Sequence, residues 1–458
     1  MLSAVVHTER YVQGGPDAVA SRPLPSGPRF PALVQTFAWG LRPLTFAEWC
    51  ARHYGTPFTT RMIGGAALVE YAAPDAVREI FALPASDFSA TAASRDVLEP
   101  FLGENSLLML DGDRHHAERK IVVRAFHSET FAAQERTIAG CTQAAIARWP
   151  LHRPFPIHPA MQTLTLEVML RAAFAIEDHH ELDALLTPLR EFLSSASSLV
   201  LLFPPFREQW FVRARWQRFQ QLRAEIDRAL IDLVRARRAA ASERHDILSA
   251  LASARDEHDQ LLDETVVRDH LLTLLLAGHD TTATALGWAF DLLAHHSWVA
   301  DRLAHDLAEG SDTYLDAVVK EVLRIRPVVP EVARMLTRET TIGGRVLPAG
   351  TVVGANIHLA HQRVETYSDP RAFRPDRLID AAGYPNAWLP FGGGIRRCIG
   401  VAFATLEMRT VLRTAVGALQ IRPARSKPEP ARRRAVTLVP RHGSPVVLSR
   451  RQQVLPPT

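Results

Sequence analysis

The chain has 458 residues, 47% of them hydrophobic, with three cysteines and a formal net charge of +4. That is apolar material enough for a large core, or by length alone for two or three ordinary domains. The mild basic excess does not demand nucleic acid, and three cysteines give no disulfide framework, which points to a reducing compartment. The best apolar run, Leu271 to Gly278, falls far short of the ~18 residues that span a bilayer. His7, Glu9 and Arg10 stand where a secretion signal would need an apolar stretch. The expectation is a cytoplasmic chain with no membrane span and no nucleic-acid partner.

Residues 1–22 read as a flexible leader, and Pro23 to Pro31 as extended chain laid on the body, because Pro, Gly and Ser dominate there. Residues 23–458 read as a single domain. Two β-like pieces, Phe58–Ile63 and Ala67–Tyr71, flank a Gly64-Gly65 hairpin signal. Apolar residues then recur at spacings of three and four over 114–125, 129–149, 160–175, 207–239, 263–296 and 313–325, which predicts helices. Strand signals return at Thr340–Ile342 and Arg345–Leu347, around Gly343-Gly344, and at Thr351–Ala355. Residues 416–450 alternate apolar positions with prolines and arginines, as small edge strands would. The fold class expected is mainly α with small β-sheets.

The segment Phe391-Gly392-Gly393-Gly394-Ile395-Arg396-Arg397-Cys398-Ile399-Gly400 is the most informative in the chain. One thiol follows a glycine-rich loop and two arginines, and a helix-like run, Val401 to Leu406, comes next. A helix start favours an anionic sulfur. Glycines without Cβ let a flat ligand approach the backbone, and a nearby cation can neutralise an acid on that ligand. The plainer reading is a buried free cysteine beside a tight turn. However, Phe391, Gly394, Arg396, Cys398 and Gly400 fall in order on the pattern Phe, two residues, Gly, one residue, Arg, one residue, Cys, one residue, Gly. The segment resembles the haem-thiolate loop of the cytochromes P450. The resemblance implies that family's fold, with haem b (iron protoporphyrin IX) between a long central helix and the cysteine loop. It also implies Cys398 as iron ligand and Phe391, Gly392 and Gly400 beside the cofactor.

The run Asp263 to His296 would make a helix on the order of 50 Å long. Its middle, Ala277-Gly278-His279-Asp280-Thr281-Thr282, holds poor helix formers that cost roughly 0.5–1 kcal/mol each. This segment resembles the family's oxygen-activation motif. By that resemblance Ala277 and Gly278 lie flat over the porphyrin, Thr281 widens the helix and hydrogen-bonds dioxygen or its water, and Asp280 relays protons from solvent. On the plainer reading the threonines only bond back to the preceding turn. His279 has no place in the motif.

Glu321 and Arg324 share a helix face at i, i+3, ordinarily a solvated pair. The resemblance implies a buried three-way cluster with Arg377 of Phe373-Arg374-Pro375-Asp376-Arg377 that holds the thiolate side rigid. His115 and Arg119, at i, i+4, are implied to reach a haem propionate, with His116 as the alternative to His115. Arg334 and Arg396 are implied as further propionate partners. Arg119, Lys120, Arg124 and Arg397 suit an acidic iron–sulfur or flavin electron donor, or else form a generic solvated face.

Three stretches resemble pocket-lining segments: the loop with Phe101, Leu102, Leu107, Leu108 and Met109; the lid Leu199–Phe206, next to Trp210 and Phe211; and Val328–Ala333, apolar apart from Glu331. Such lining suggests a terpenoid, fatty acid or steroid, although the lid equally fits ordinary core. The resemblance implies a monomeric bacterial-type monooxygenase. It would insert one atom of O2 into a hydrophobic small molecule, with electrons from NAD(P)H through a reductase and a ferredoxin or flavodoxin. A peroxide-driven peroxygenase of the same fold and a non-catalytic haem-binding sensor are the alternatives; the first usually lacks an acid–alcohol pair.

Overall fold

Proline-rich chain at the start of a domain must find partners for its carbonyls outside itself, and here it finds them on the first strand. In this computed structural model, which describes residues 23–63, 67–92, 95–126, 131–196, 210–240, 246–379 and 387–451, Pro25 O accepts from Thr59 Oγ1 (2.7 Å) and Ser26 O from Thr59 N (3.1 Å). A Cβ on Gly27 would stand 1.8 Å from Thr59 O, so only glycine allows the approach. The extended path expected after Pro23 is therefore present. The leader 1–22, the Gly64-Gly65 turn, the lid 199–206 and the side chains of Trp210 and Phe211 lie outside the described residues.

Twelve strands make four small sheets among the described residues. The largest has the order β1 (Phe58–Arg61), β2 (Ala67–Tyr71), β8 (Val352–Asn356), β5 (Glu331–Leu336), β3 (Phe88–Ser89). Its β2–β8 pair is parallel, with Leu68 opposite Val352, and the rest is antiparallel. All five residues of β8 are buried, as a covered central strand requires. The hairpin β6 (Thr340–Ile342) to β7 (Arg345–Leu347) turns at Gly343 and Gly344, both at positive φ. Near the C-terminus β4 (Pro154–Pro156), β12 (Pro445–Arg450) and β9 (Leu419–Pro423) form one sheet, and β10 (Ala431–Arg434) pairs with β11 (Thr437–Pro440).

Helices make up most of the rest: α1 (Ala32–Leu41), α2 (Pro43–Tyr54), α3 (Pro74–Ala82), α4 (Arg95–Leu102), α5 (Gly112–Ala125), α6 (Phe131–Arg148), α7 (Ile157–Val168), α8 (His179–Ala196), α9 (Trp210–Ala239), α10 (Ile247–Ala252), α11 (Glu264–His295), α12 (Ser297–Ala308), α13 (Thr313–Ile325), α14 (Ile357–His361) and α15 (Val401–Ala418). The six periodic segments correspond to α5, α6, α7, α9, α11 and α13. The segment 160–175 is not one regular helix: α7 gives way at Met169–Ala173 to a π turn. The strand β5 falls where the sequence marks pocket lining up to Ala333 and a charged site residue at Arg334, but no strand.

The helix α11 organises the molecule. Asp263 caps its start, accepting from Thr265 N (2.8 Å). Every residue from Thr282 to Ala294 is buried, because α7, α9, α13, α15 and strands β9 and β11 pack around it. A helix apolar on all sides is stable only as such an axle. Trp288 on α11 is fully buried, donates from Nε1 to Leu438 O (3.0 Å) and lies under the Arg326 guanidinium (5.1 Å). Trp288→Ala leaves a cavity and an orphaned carbonyl, and the expected loss is about 3–5 kcal/mol in chemical denaturation; a change under about 1 kcal/mol contradicts the axle role.

Candidate active site

A cavity of about 360 Å³ opens between α11 and the cysteine loop. Thr273, Leu274, Ala277, Gly278 and Thr281 line it on the α11 side, and Pro390–Gly393 and Arg396–Gly400 on the other. Ala277 is exposed although it sits midway along the central helix, because its methyl faces this cavity. The cysteine loop is held by its own backbone: Gly392 N donates to Leu389 O (3.0 Å), Arg397 N to Gly394 O (3.0 Å) and Cys398 N to Phe391 O (3.0 Å). Gly392 and Gly394 take φ of 64° and 65°, which a side chain would strain. Cys398 is exposed toward the cavity. The protein around it pushes its thiol above the ordinary range, against the pull of the Gly400 N–H and the Arg119 and Arg397 charges.

Two glycines have a different reason from the one expected. A Cβ on Gly393 would lie 2.6 Å from the Phe81 ring, and one on Gly394 would lie 1.9 Å from Phe81 O. The close approach they permit is that of α3, not of a flat ligand.

Behind the loop lies a charge cluster without solvent. Glu321 and Arg324 are both 0% exposed. Arg324 Nε and Nη2 donate to the two Glu321 oxygens at 2.7 and 2.9 Å, Nη1 to His361 O and Pro370 O (both 2.9 Å), and Nη2 also to Ala372 O (3.4 Å). Arg374 N donates to Glu321 Oε1 (3.0 Å). Arg377 Nε stands 3.2 Å from the same oxygen, but its hydrogen bonds go to the carbonyls of Ser368, Asp369 and Ala372. The three side chains thus lie together. His361, which no sequence pattern marks, completes the cluster: Nδ1 contacts Arg324 O (3.0 Å) and Nε2 accepts from Leu389 N (2.9 Å). Its acceptor role at Nε2 places the proton on Nδ1. Burial, then the Arg324 charge, pushes its pKa down to about 3.

Three arginines and a histidine rim the cavity. Arg334 on β5, Arg396, Arg119 and His115 all line it, whereas His116 is exposed. Arg396 donates to Leu107 O (3.3 Å), to Leu110 O and to Asp111, and Arg119 to Arg397 O (2.6 Å). Asp111 also accepts from Ser89 and Thr91 hydroxyls (2.6 Å each) and Ala90 N (3.0 Å), which together outweigh burial and hold its carboxyl low. The Nε atoms of Arg334 and Arg396 are buried without a hydrogen-bond partner. Burial and the Arg396 charge lower Arg334 to about 10; burial, Arg396 and Arg119 lower His115 to about 4. One carboxylate faces three guanidiniums, so positive charge is in excess here. Asp111, a positioning group for Arg396, is the second residue that motif reasoning missed.

On the α11 side the outcome is mixed. Thr281 lines the cavity, but its Oγ1 donates to Ala277 O (2.7 Å) and Thr282 Oγ1 to Gly278 O (2.9 Å). The helix runs on as regular α through both, and the expected widening at Thr281 is absent: each hydroxyl satisfies a carbonyl one turn back without opening the ladder. Asp280, one residue earlier, does not line the cavity. It is paired with Arg434 of β10 and accepts from Gln162 Nε2 (3.1 Å). Burial raises its carboxyl, yet Arg434 and His279 outweigh that, and it lies below the ordinary range. His279 is buried and pushed down to about 4 by burial.

Of the pocket-lining stretches, Leu107, Leu108, Val328, Val329 and Val332 face the cavity, together with Phe81, Met169 and Ile357. Phe101, Leu102 and Met109 do not; they are core, with Phe101 against Phe192 and Phe219. Glu331 also points away, since alternate residues of a strand face opposite sides. It accepts from Trp39 Nε1 and Arg433 (3.0 Å each). Lys120, Arg124 and Arg397 are exposed and make no ion pair among the described residues.

The family description "Cytochrome P450" matches residues 24–446. Cytochrome P450 135B1 of Mycobacterium tuberculosis is 38% identical over 93% of this chain and 91% of its own length. Cytochrome P450 135A1 of the same organism is 34% identical over 92% and 94%. None of these names states a substrate. Among solved structures, the retinoic-acid-bound cyanobacterial CYP120A1 superposes with a TM-score of 0.81 at 25% identity, covering 94% of this chain and all of the other. The haem domain of cytochrome P450DA superposes with a TM-score of 0.81 at 20% identity, which speaks for the fold alone. No helix among the described residues is long and apolar enough to cross a membrane.

The cluster at His361 gives a pH dependence. The histidine stays neutral in the folded chain down to about pH 3, whereas in the unfolded chain it protonates below about 6.5. The unfolded chain binds more protons in that window, so stability falls as pH drops from about 6.5 toward 3. In urea titrations across pH, His361→Gln is expected to flatten that slope by about 1.4 kcal/mol per pH unit. An unchanged slope would mean His361 already titrates normally.

Proposed function

The chain belongs to the cytochrome P450 family, and on that premise we propose that residues 23–458 form one haem-thiolate monooxygenase domain acting on an apolar small molecule of terpenoid, fatty acid or steroid type. Haem b is the family's cofactor, reduced from NAD(P)H through redox partners. The observation that carries the reading is the charge imbalance at the cavity rim. Buried guanidiniums need counter-charge, and Asp111 alone does not supply it. The two propionates of a porphyrin would, through Arg334, Arg396, Arg119 and His115, the last as a neutral donor. Cys398 would hold the iron as its thiolate, with Phe391, Gly392 and Gly400 around it and Ala277 and Gly278 opposite.

When bound, haem supplies the one-electron and dioxygen chemistry, and thiolate ligation favours O–O cleavage. The chain's own residues then have three tasks. The Gly400 N–H and the Arg119 and Arg397 charges lower the cost of ionising Cys398. The apolar lining by Phe81, Leu108, Met169, Val328, Val329 and Val332 excludes water and takes an apolar substrate. Retinoic acid, the ligand of the superposed cyanobacterial protein, is a long apolar isoprenoid, in keeping with that class. Thr281 and Asp280 manage protons: substrate C–H, O2, two electrons and two protons become C–OH and water. Thr281 Oγ1 already donates to Ala277 O, so it serves as acceptor for a cavity water. Asp280 is ionised and turned from the cavity, and the Arg434 contact must loosen before it can hand a proton inward.

Lys120, Arg124 and Arg397 would meet an acidic ferredoxin or flavodoxin, in a cytoplasmic, monomeric enzyme. A peroxygenase or a haem sensor would have no use for an acid–alcohol pair.

Holoprotein with a ferredoxin, its reductase and NADPH is expected to hydroxylate a bound terpenoid or fatty acid. Product formed only with peroxide, or none with any ligand that shifts the haem spectrum, overturns the reading. Cys398→Ala is expected to abolish the thiolate-type absorption of the reduced carbon monoxide complex. Thr281→Ala should keep haem and substrate binding but divert most reducing equivalents to peroxide, seen as NADPH consumed without product; tight coupling in that variant removes Thr281 from the proton path.

A further inference from the structure

The polar side chains of the cavity wall on α11 have their bonds made, with one exception. Thr281 and Thr282 donate to carbonyls one turn back, and Thr273 Oγ1 is taken up by Asp269 O (2.6 Å) and Ser106 Oγ (2.7 Å). The exception is His270, which lines the cavity and is 1% exposed. Its Nε2 lies 2.9 Å from Glu118 Oε2 on α5, and its Nδ1 is buried without a hydrogen-bond partner. Two other buried histidines, His279 and His358, also leave Nδ1 unpaired, but neither lines the cavity. The Glu118 contact decides what each nitrogen of His270 does. A carboxylate accepts, so Nε2 carries the hydrogen and Nδ1 keeps a bare lone pair. Glu118 is not part of the lining, so the imidazole is held from outside the cavity.

A buried acceptor with no donor is costly, and the protein has none to offer it. The helix neighbours at i+3 and i+4 are Thr273, whose hydrogen goes to Asp269 O, and Leu274, which has none. Ionised propionates also accept only, so the cofactor does not supply the missing hydrogen. We propose that His270 recognises the substrate, and that the substrate is an apolar molecule bearing a hydroxyl group, which donates to Nδ1. The inference rests on the monooxygenase reading of the cavity and narrows its substrates to alcohols of the terpenoid, fatty or steroid kind. An ether, a ketone or a carboxylate brings only lone pairs to face a lone pair, and a hydrocarbon leaves Nδ1 as it was. Seven residues separate His270 from Ala277, about 10 Å along the helix axis. The hydroxyl is thus an anchor, set apart from the carbon that reacts beside Ala277 and Thr281.

The test is titration of the full-length holoprotein, followed by the shift of its haem absorption. The probes are farnesol, dodecanol and cholesterol, each beside its own methyl ether, together with farnesoic and dodecanoic acids. In at least one pair the alcohol is expected to bind at least about tenfold more tightly than the ether, which keeps the oxygen but has no hydrogen to give. In His270→Phe that alcohol and its ether should bind alike. His270→Asn, whose side-chain oxygen accepts close to the Nδ1 position, should keep the preference. No pair with an alcohol preference, or a preference that survives in His270→Phe, overturns the proposal. So does tighter binding of the acids that His270→Phe abolishes, since the histidine would then act as a cation. Failure of the haem-thiolate reading itself would show separately, as an unsubstituted protein whose reduced carbon monoxide complex lacks the thiolate-type absorption.

Discussion

Arg324 has five N–H donors, and each has an acceptor: two oxygens of Glu321 and the carbonyls of His361, Pro370 and Ala372. That completeness is the constraint from which the rest of the structure follows. A fully buried ion pair is costly to desolvate and contributes little by attraction alone. It is tolerable only when every remaining donor and lone pair is satisfied, and here the satisfying groups are backbone carbonyls of the chain on its way to the cysteine loop. The pair therefore fixes a path rather than merely adding stability. From Arg324 O the fixation passes to His361, from its Nε2 to Leu389 N, and from Leu389 O to Gly392 N, six residues before the sulfur. Trp388 Nε1 on Lys320 O (3.0 Å) ties the same stretch to α13 a second time.

A rigid floor gives the rim its meaning. Arg396 cannot retreat to solvent, because its loop is pinned, and Arg334 cannot, because β5 lies inside the five-stranded sheet with the guanidinium over Phe88 (4.4 Å). Their positive charge is thus held at the cavity whether or not a counter-charge arrives. The uncompensated rim, the soft sulfur below and the oily wall above are mutually consistent demands on one ligand: flat, apolar and dianionic at one edge. Each element alone has an ordinary explanation, and their convergence on one cavity is what narrows the chemistry.

What could be read from residues alone follows the range of each interaction. The cysteine loop is a contiguous decapeptide, so its pattern could carry a family resemblance; Glu321 and Arg324, three apart on one helix, read alone as a solvated pair, and only that resemblance implied their burial. Most of the long helices were legible through their periodicity, but α8, which carries Pro188 inside it, was not. His361 and Asp111 were not, since their partners are backbone groups and hydroxyls that only the fold brings near. Arg434 stands 154 residues from Asp280, on a strand where four consecutive positions read Ala-Arg-Arg-Arg. The hidden α1 has a physical cause as well. It buries Gln35 and turns only Ala38 and Trp39 toward the core, while Leu33, Val34, Phe37 and Leu41 are exposed, which blurs the pattern by which amphipathic helices are recognised. Glu331 looked like a polar spot in an apolar pocket because strand alternation cannot be applied before the strand is known.

The paired threonines of α11 stand between two carboxyls in opposite states. Asp280 and Glu407 are both deeply set, so desolvation works on each in the same direction. Asp280 has Arg434 against it and remains ionised. Glu407 on α15 is 0% exposed and makes no ion pair among the described residues, and burial, against a pull from Thr282, drives it well above the ordinary carboxylate range. One guanidinium on a short C-terminal hairpin therefore decides which of two buried acids carries charge. The neighbouring Arg433 points the other way, to Glu331 and Trp39, because successive strand residues face opposite sides. A single strand, β10, thereby fastens α11 at Asp280 through one arginine and α1 at Trp39 through the next.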